Sequence, residues 1–226
     1  GIGGPGAVFW MWVIAFFGSA TAFIEATLGQ IYKVEKNGEY RGGPAYYIEK
    51  GLGKKWYAVT FAIATMVACV FFLPGVQSNS IADSMYNAFH IDKIWIGVAV
   101  AMALGIIVIG GAKRIGRFSE IVVPFMAGAY ILMAIVIVVL NIKEVPDVLG
   151  LLIRSAFGTD ATFGGIVGSA IAMGVKRGIY SNEAGQGTAP HAAAAAATSH
   201  PVKQGLVQAF SVYIDTLFVC TATAFI

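Results

Sequence analysis

Apolar residues in this chain gather into long runs, without the narrow apolar stripe of a soluble amphipathic helix. About twenty apolar residues at 1.5 Å rise each cross a hydrocarbon core of ~30 Å. The pattern therefore predicts membrane spans at 6–31, 56–89, 94–109, 120–140 and 205–226. A sixth segment, 162–198, breaks the pattern. Its apolar start, Thr162–Val175, covers roughly 21 Å at helical rise, and its end is the alanine tract Ala192–Ala197. Between them lies GVKRGIYSNEAGQGTAPH, Gly174–His191. An internal glycine costs ~1 kcal/mol relative to alanine and a proline ~3 kcal/mol, so Gly178, Gly185, Gly187 and Pro190 predict a broken helix with its backbone unpaired near Ile179. One alternative stays open: Lys176-Arg177 mark the cytoplasmic end of a short span, leaving the alanine tract outside the membrane.

The remaining polar positions refine this pattern. Pro74-Gly75 predicts a kink in the second span, followed by Gln77, Ser78, Asn79, Ser80 and Asp83. Gln77 and Ser80 fall on one helical face. Such residues either join neighbouring helices or line a substrate path, and the residues alone weigh both readings equally. Pro124 predicts a kink in the fourth span. Val145–Phe157 is too short and polar to span and reads as an amphipathic helix outside the bundle. Gly42-Gly43-Pro44 opens a short helix whose Tyr46, Tyr47 and Ile48 suit the membrane interface.

Composition supports the membrane class. The chain has 226 residues, 58% hydrophobic and 12% charged, whereas soluble domains carry about 25% charged residues. A net charge of +3 gives no reason to expect nucleic acid as a partner. Cys69 and Cys220 lie in apolar runs and read as packing residues. His191 and His200 have no clustered partners, so no metal ligand set is assigned. Six basic residues fall in 33–55 and three in 110–118, which places the basic loops in the cytoplasm of a multi-pass cell-membrane protein. The chain begins at Gly1 beside one span and stops within another, so it reads as a single transmembrane domain incomplete at both ends.

A helix N-terminus offers free N–H groups and a C-terminus free carbonyls. A break that faces the two ends together suits a zwitterionic amino acid and a cation. Ser181 and Asn182 carry the oxygen that a hard cation prefers. Glu183 reads as a partner of Lys176 or Arg177 before a substrate contact. Asp83, Glu25 and Asp215 are candidates for proton or structural roles.

Five segments carry a resemblance: GGPGAVFWMW (Gly3–Trp12), GGPAYYI (Gly42–Ile48), GAKRI (Gly111–Ile115), RGIYSNEAGQGTAPHAAA (Arg177–Ala194) and HPVKQGLVQAFSVYIDT (His200–Thr216). Together they resemble the sodium:alanine/glycine symporter family. The resemblance implies an all-α, polytopic membrane protein, part of a leucine-transporter-like five-plus-five inverted-repeat bundle with a discontinuous helix. It implies a secondary active transporter that carries a small neutral amino acid, alanine or glycine, with sodium by alternating access. Substrate binding would fall on Gln77 of the G-x-Q-x-N segment and on Gly178, Ile179 and Tyr180, with Asn79, Ser181 and Asn182 along a substrate or ion path. The main sodium site, and a second broken helix, would lie outside this chain. The alternatives are a proton-coupled carrier of the same fold and a non-transporting channel-like or scaffold membrane subunit. No acid pair or nucleophile–base set supports an enzyme.

Overall fold

A computed structural model describes residues 4–157 and 164–225. Gly3, Thr162, Phe163 and Ile226, which the sequence reading used, lie outside the described residues. The elements run α1 (Gly6–Ile31), β1 (Val34–Lys36), β2 (Glu39–Arg41), α2 (Pro44–Leu52), α3 (Lys55–Phe89) and α4 (Lys93–Val108). They continue with α5 (Gly111–Leu140), α6 (Val145–Phe157), α7 (Gly164–Asn182), α8 (Ala189–Ala195) and α9 (Pro201–Phe225). Four of these, α1, α3, α5 and α9, are long and apolar enough to cross a membrane. The protein is thus mostly helical, as a polytopic membrane protein should be. The exception is the β1–β2 hairpin, whose turn residues Asn37 and Gly38 both have positive φ, 56° and 72°. That is the Asn-Gly geometry whose twist matches paired strands.

The chain falls into two units, Gly1–Val59 with Ala129–Ile226, and Thr60–Gly128. The second unit contains most of α3, all of α4 and the first part of α5. Within it the expected kink at Pro74 takes a specific form. Ala68–Phe72 is π-helical, directly before the proline. A widened turn relieves the clash of the proline ring with the preceding carbonyl. Asp83 pairs with Lys93 across the α3–α4 turn. The helix that follows begins at Gly111 rather than near Glu120, and Pro124 sits inside it. Lys113, Arg114 and Arg117 therefore ride on a helix and not in a loop.

In the first unit α1 is the central helix, and α6, α7, α8 and α9 all pack against it. It meets them through small residues: Ala15, Ala22 and Ala26 are at most 4% exposed. Without an aqueous hydrophobic drive, apolar helices associate through close van der Waals packing, which small residues permit. Gly174 and Gly178 form the matching face of α7. A Cβ at Gly174 would lie 2.5 Å from the Ala7 carbonyl oxygen, and one at Gly178 would collide with Ile14. α6 is not outside the bundle. Leu152 and Ala156 are buried, and Trp10 Nε1 donates to the Ala156 carbonyl at 3.2 Å.

Candidate functional site

The broken segment is present, but the break is later than the glycine count predicted. α7 stays helical to Asn182, 19 residues or about 28 Å at helical rise. The following helix, α8, has only seven residues. The two flanks are therefore unequal, and the interruption spans 183–188. Gly178, Ile179 and Tyr180 lie inside α7. The Ile179 carbonyl is not unpaired: it accepts from Glu183 N at 2.9 Å and from Gln186 Nε2 at 2.8 Å. Gly178 is helical because its missing side chain admits Ile14, not because it unwinds.

The positive-φ residues of the break are Glu183, Gly185 and Gly187, at 57°, 83° and 77°. Glycine accepts that geometry freely, and Glu183 takes the left-handed position that commonly closes a helix. The loop is then tied on all sides. Asn182 Oδ1 accepts from Ala184 N at 3.1 Å while its Nδ2 donates to Thr216 at 3.2 Å. Thr188 donates to Glu183 Oε2 at 2.6 Å, so Glu183 bonds the loop and does not pair with Lys176 or Arg177. Gly185 N donates to Glu25 Oε2 at 3.0 Å. The single acid of α1 thus receives a backbone donor from the break. The Tyr47 phenol is pushed up to about 12 by burial, by the Glu25 carboxylate and by Tyr57, and it stays neutral.

The far end of α8 is capped from α1. Gln30, 5% exposed, donates to the Ala193 and Ala196 carbonyls at 2.5 and 2.8 Å. Lys33 adds a bond to Ala196 at 2.9 Å. Terminal carbonyls need such donors, and a cation suits the negative end of the dipole. His191 rests on the Gly187 carbonyl at 3.1 Å, and His200 caps α9 by accepting from Val202 N at 3.2 Å.

Facing the end of α7 is a second irregularity, in α9. Ile214–Cys220 is π-helical. A π turn aligns residues five apart, and Asp215 and Cys220 both reach Ser181. Ser181 Oγ donates to Asp215 Oδ2 at 2.7 Å and lies 3.1 Å from Cys220 Sγ. Beside them opens a cleft of about 290 Å³, lined by polar Ser181, Asn182, Glu183, Gln208, Ser211 and Asp215 with three small apolar residues. The sequence reading singled out Ser181, Asn182 and Asp215. It missed Gln208 and Ser211, although 208, 211 and 215 fall on one helical face. The Tyr180 hydroxyl is buried with no hydrogen-bond partner among the described residues. In the other unit Gln77 is exposed, and Asn79 Nδ2 donates to Asp83 Oδ2 at 3.1 Å.

The family model described as the sodium:alanine symporter family matches residues 1–226. YrbD of Bacillus subtilis is 64% identical over 223 residues, covering 99% of this chain and 46% of that protein. A sodium/proton-dependent alanine carrier protein of Bacillus sp. strain PS3 is 53% identical over 222 residues, covering 98% of this chain and 50% of the carrier. The sodium/alanine symporter AgcS of Methanococcus maripaludis is 46% identical over 230 residues, with 100% and 51% covered. The chain thus spans about half the length of the curated relatives it matches. The last two are a carrier and a symporter by name, not enzymes. With a match along its whole length, this chain belongs to the sodium:alanine symporter family.

Proposed function

We propose that this chain is a transmembrane part of a secondary active transporter that moves a small neutral amino acid, alanine or glycine, together with sodium. The observation that carries the reading is the interruption at 183–188, a polar loop between α7 and α8 that bonds to the apolar helix α1. Polar groups persist among apolar helices where they meet water, ligand or one another. A break between half-helices is a recurrent device for binding at membrane depth. The names of two relatives, an alanine carrier and a sodium/alanine symporter, support the substrate class, and the family description supports the ion.

In this reading Gln77 and Tyr180 bind substrate through their side chains, and Gly178 and Ile179 hold the close-packed backbone beside Tyr180. Tyr180 has the better local claim, because its buried hydroxyl has no bond within the described protein and a substrate carboxylate would accept from it. Asn79, Ser181 and Asn182 lie along the path of substrate or ion. The protein sits in the cell membrane with its basic loops in the cytoplasm, within a five-plus-five inverted-repeat bundle that works by alternating access. A proton-coupled carrier is the second reading, favoured by the sodium/proton-dependent names of two relatives.

The test is labelled-alanine uptake by proteoliposomes containing the full-length protein. An inward sodium gradient should accelerate uptake at least tenfold over potassium, and unlabelled glycine should compete. Uptake that follows a pH gradient and ignores sodium would favour the proton-coupled reading. No uptake in either gradient would defeat both.

A further inference from the structure

We propose that α6 lies in the plane of the membrane surface, with Leu149, Ile153 and Phe157 inserted among the acyl chains of phospholipids. Both of its ends are fixed at the edge of the bilayer by helices long and apolar enough to cross it, α5 and α1. The start of α6 follows the end of α5 through one tight turn. In it Glu144 N donates to the Asn141 carbonyl at 2.9 Å and Val148 N to the Glu144 carbonyl at 3.0 Å. The other end lies on the first turns of α1. Trp10 Nε1 donates to the Ala156 carbonyl at 3.2 Å, and a Cβ at Gly6 would collide with the Ser155 carbonyl oxygen. With 26 residues, α1 is about 39 Å long, so its first turn reaches the edge of a hydrocarbon core of ~30 Å. With 13 residues, α6 is about 20 Å long, too short to join opposite edges of that core. The end of α5 and the start of α1 are therefore on one side of the membrane, and α6 runs along that side between them.

The surface of α6 divides into three arcs at 3.6 residues per turn. Leu152 and Ala156 are buried and Val145 and Val148 half-buried, and these four face the protein. Beside them Leu149, Ile153 and Phe157 form a second apolar row at four-residue spacing, and all three are exposed. Against water that row would cost about 25 cal/mol for each Å² of apolar surface. A helix on an aqueous surface needs only the arc that packs on its core, so the second row calls for a second apolar medium. Phe157 joins the row to an aromatic cluster on α1, with its ring 4.9 Å from Phe9 and 6.0 Å from Trp10. Aromatic rings gather at this depth in membrane proteins. The third arc holds Asp147, Leu151 and Arg154, all exposed. Among the described residues Arg154 has no ion-pair partner. The boundary of a phospholipid leaflet meets both needs at once, acyl chains for the apolar row and phosphate for the guanidinium.

This inference is independent of which solute or ion is carried. The experiment attaches a nitroxide spin label to single cysteines in the full-length protein, with its native cysteines replaced by serine. The protein is placed in vesicles of phosphatidylethanolamine and phosphatidylglycerol. Collisions with oxygen, which concentrates in lipid, are compared with collisions with a water-soluble nickel chelate. Labels on Leu149→Cys and Ile153→Cys should show an oxygen-to-nickel ratio roughly threefold or more above that on Leu151→Cys, at a depth of ~5–10 Å below the phosphates. All three positions are exposed, and should one of the two row variants fail to fold, the other carries the test. Equal ratios at 149, 151 and 153 would place α6 in water and overturn the proposal. Poor access of both reagents to 149 and 153 would overturn it as well, since another part of the protein would then cover the row. Either of those results leaves the transport reading standing. Lipid-facing labels on a protein that takes up no alanine in any gradient would do the reverse, keeping α6 in the membrane surface and removing the transport reading.

Discussion

Any side chain at Gly178 meets the Ile14 methyl group across the α1–α7 contact, and one at Gly174 meets the Ala7 carbonyl and the Trp10 Cβ. Overpacking of this kind costs about 1–3 kcal/mol. Gly178→Leu should therefore lower the melting temperature of the purified protein and reduce its yield. Gly97, with no atom within 4 Å of an added Cβ, gives the contrast. Gly97→Ala should be neutral or stabilising by up to ~1 kcal/mol through helix propensity. Equal losses in both variants would show that the close approach at Gly178 does not matter. These two glycines also show why the break was misplaced in the sequence reading. Four-residue spacing at Gly174 and Gly178 marks a packing face, whereas Gly185 and Gly187 supply positive φ. Composition treats all four alike, and only spacing separates the two uses.

At the scale of the element, the α7–α8 pair depends on ties from α1. Glu25 holds the loop at Gly185, and Gln30 with Lys33 covers the carbonyl end of α8. A seven-residue helix is too short to hold together unaided, so these ties determine whether it forms. Gln30→Ala removes two side-chain hydrogen bonds, at about 0.5–1.5 kcal/mol each, leaving the Ala193 carbonyl only its bond from Ala196 N and the Ala196 carbonyl only its bond from Lys33. Hydrogen exchange should then quicken at 189–196 and stay unchanged in α6. An unaltered pattern would mean that α8 is held by packing alone. The existence of a break was legible in the sequence because glycine, proline and charge coincide there. Neither π-helical segment was, since a widened turn leaves hydropathy unchanged. The hairpin was signalled by Asn37-Gly38, but strands of three residues are too short for an alternating pattern to register.

For the whole molecule, four of the five predicted uninterrupted spans coincide with helices long and apolar enough to cross a membrane, while 94–109 falls on α4, whose 16 residues reach only about 24 Å at helical rise. Orientation depends on the basic residues around the hairpin and α2. Asn37→Cys in the full-length protein, with Cys69 and Cys220 replaced by serine, should react with a membrane-impermeant maleimide in inverted vesicles and not in intact cells. The opposite labelling would invert the topology. The same scale decides what the chain does, since the proposed coupled transport would belong to the full-length carrier. Its most direct test is simultaneous measurement of labelled alanine and labelled sodium entering proteoliposomes. The account predicts that external alanine accelerates sodium entry, and that the two fluxes keep a fixed ratio as alanine is raised. Alanine entry with no accompanying sodium flux would contradict it.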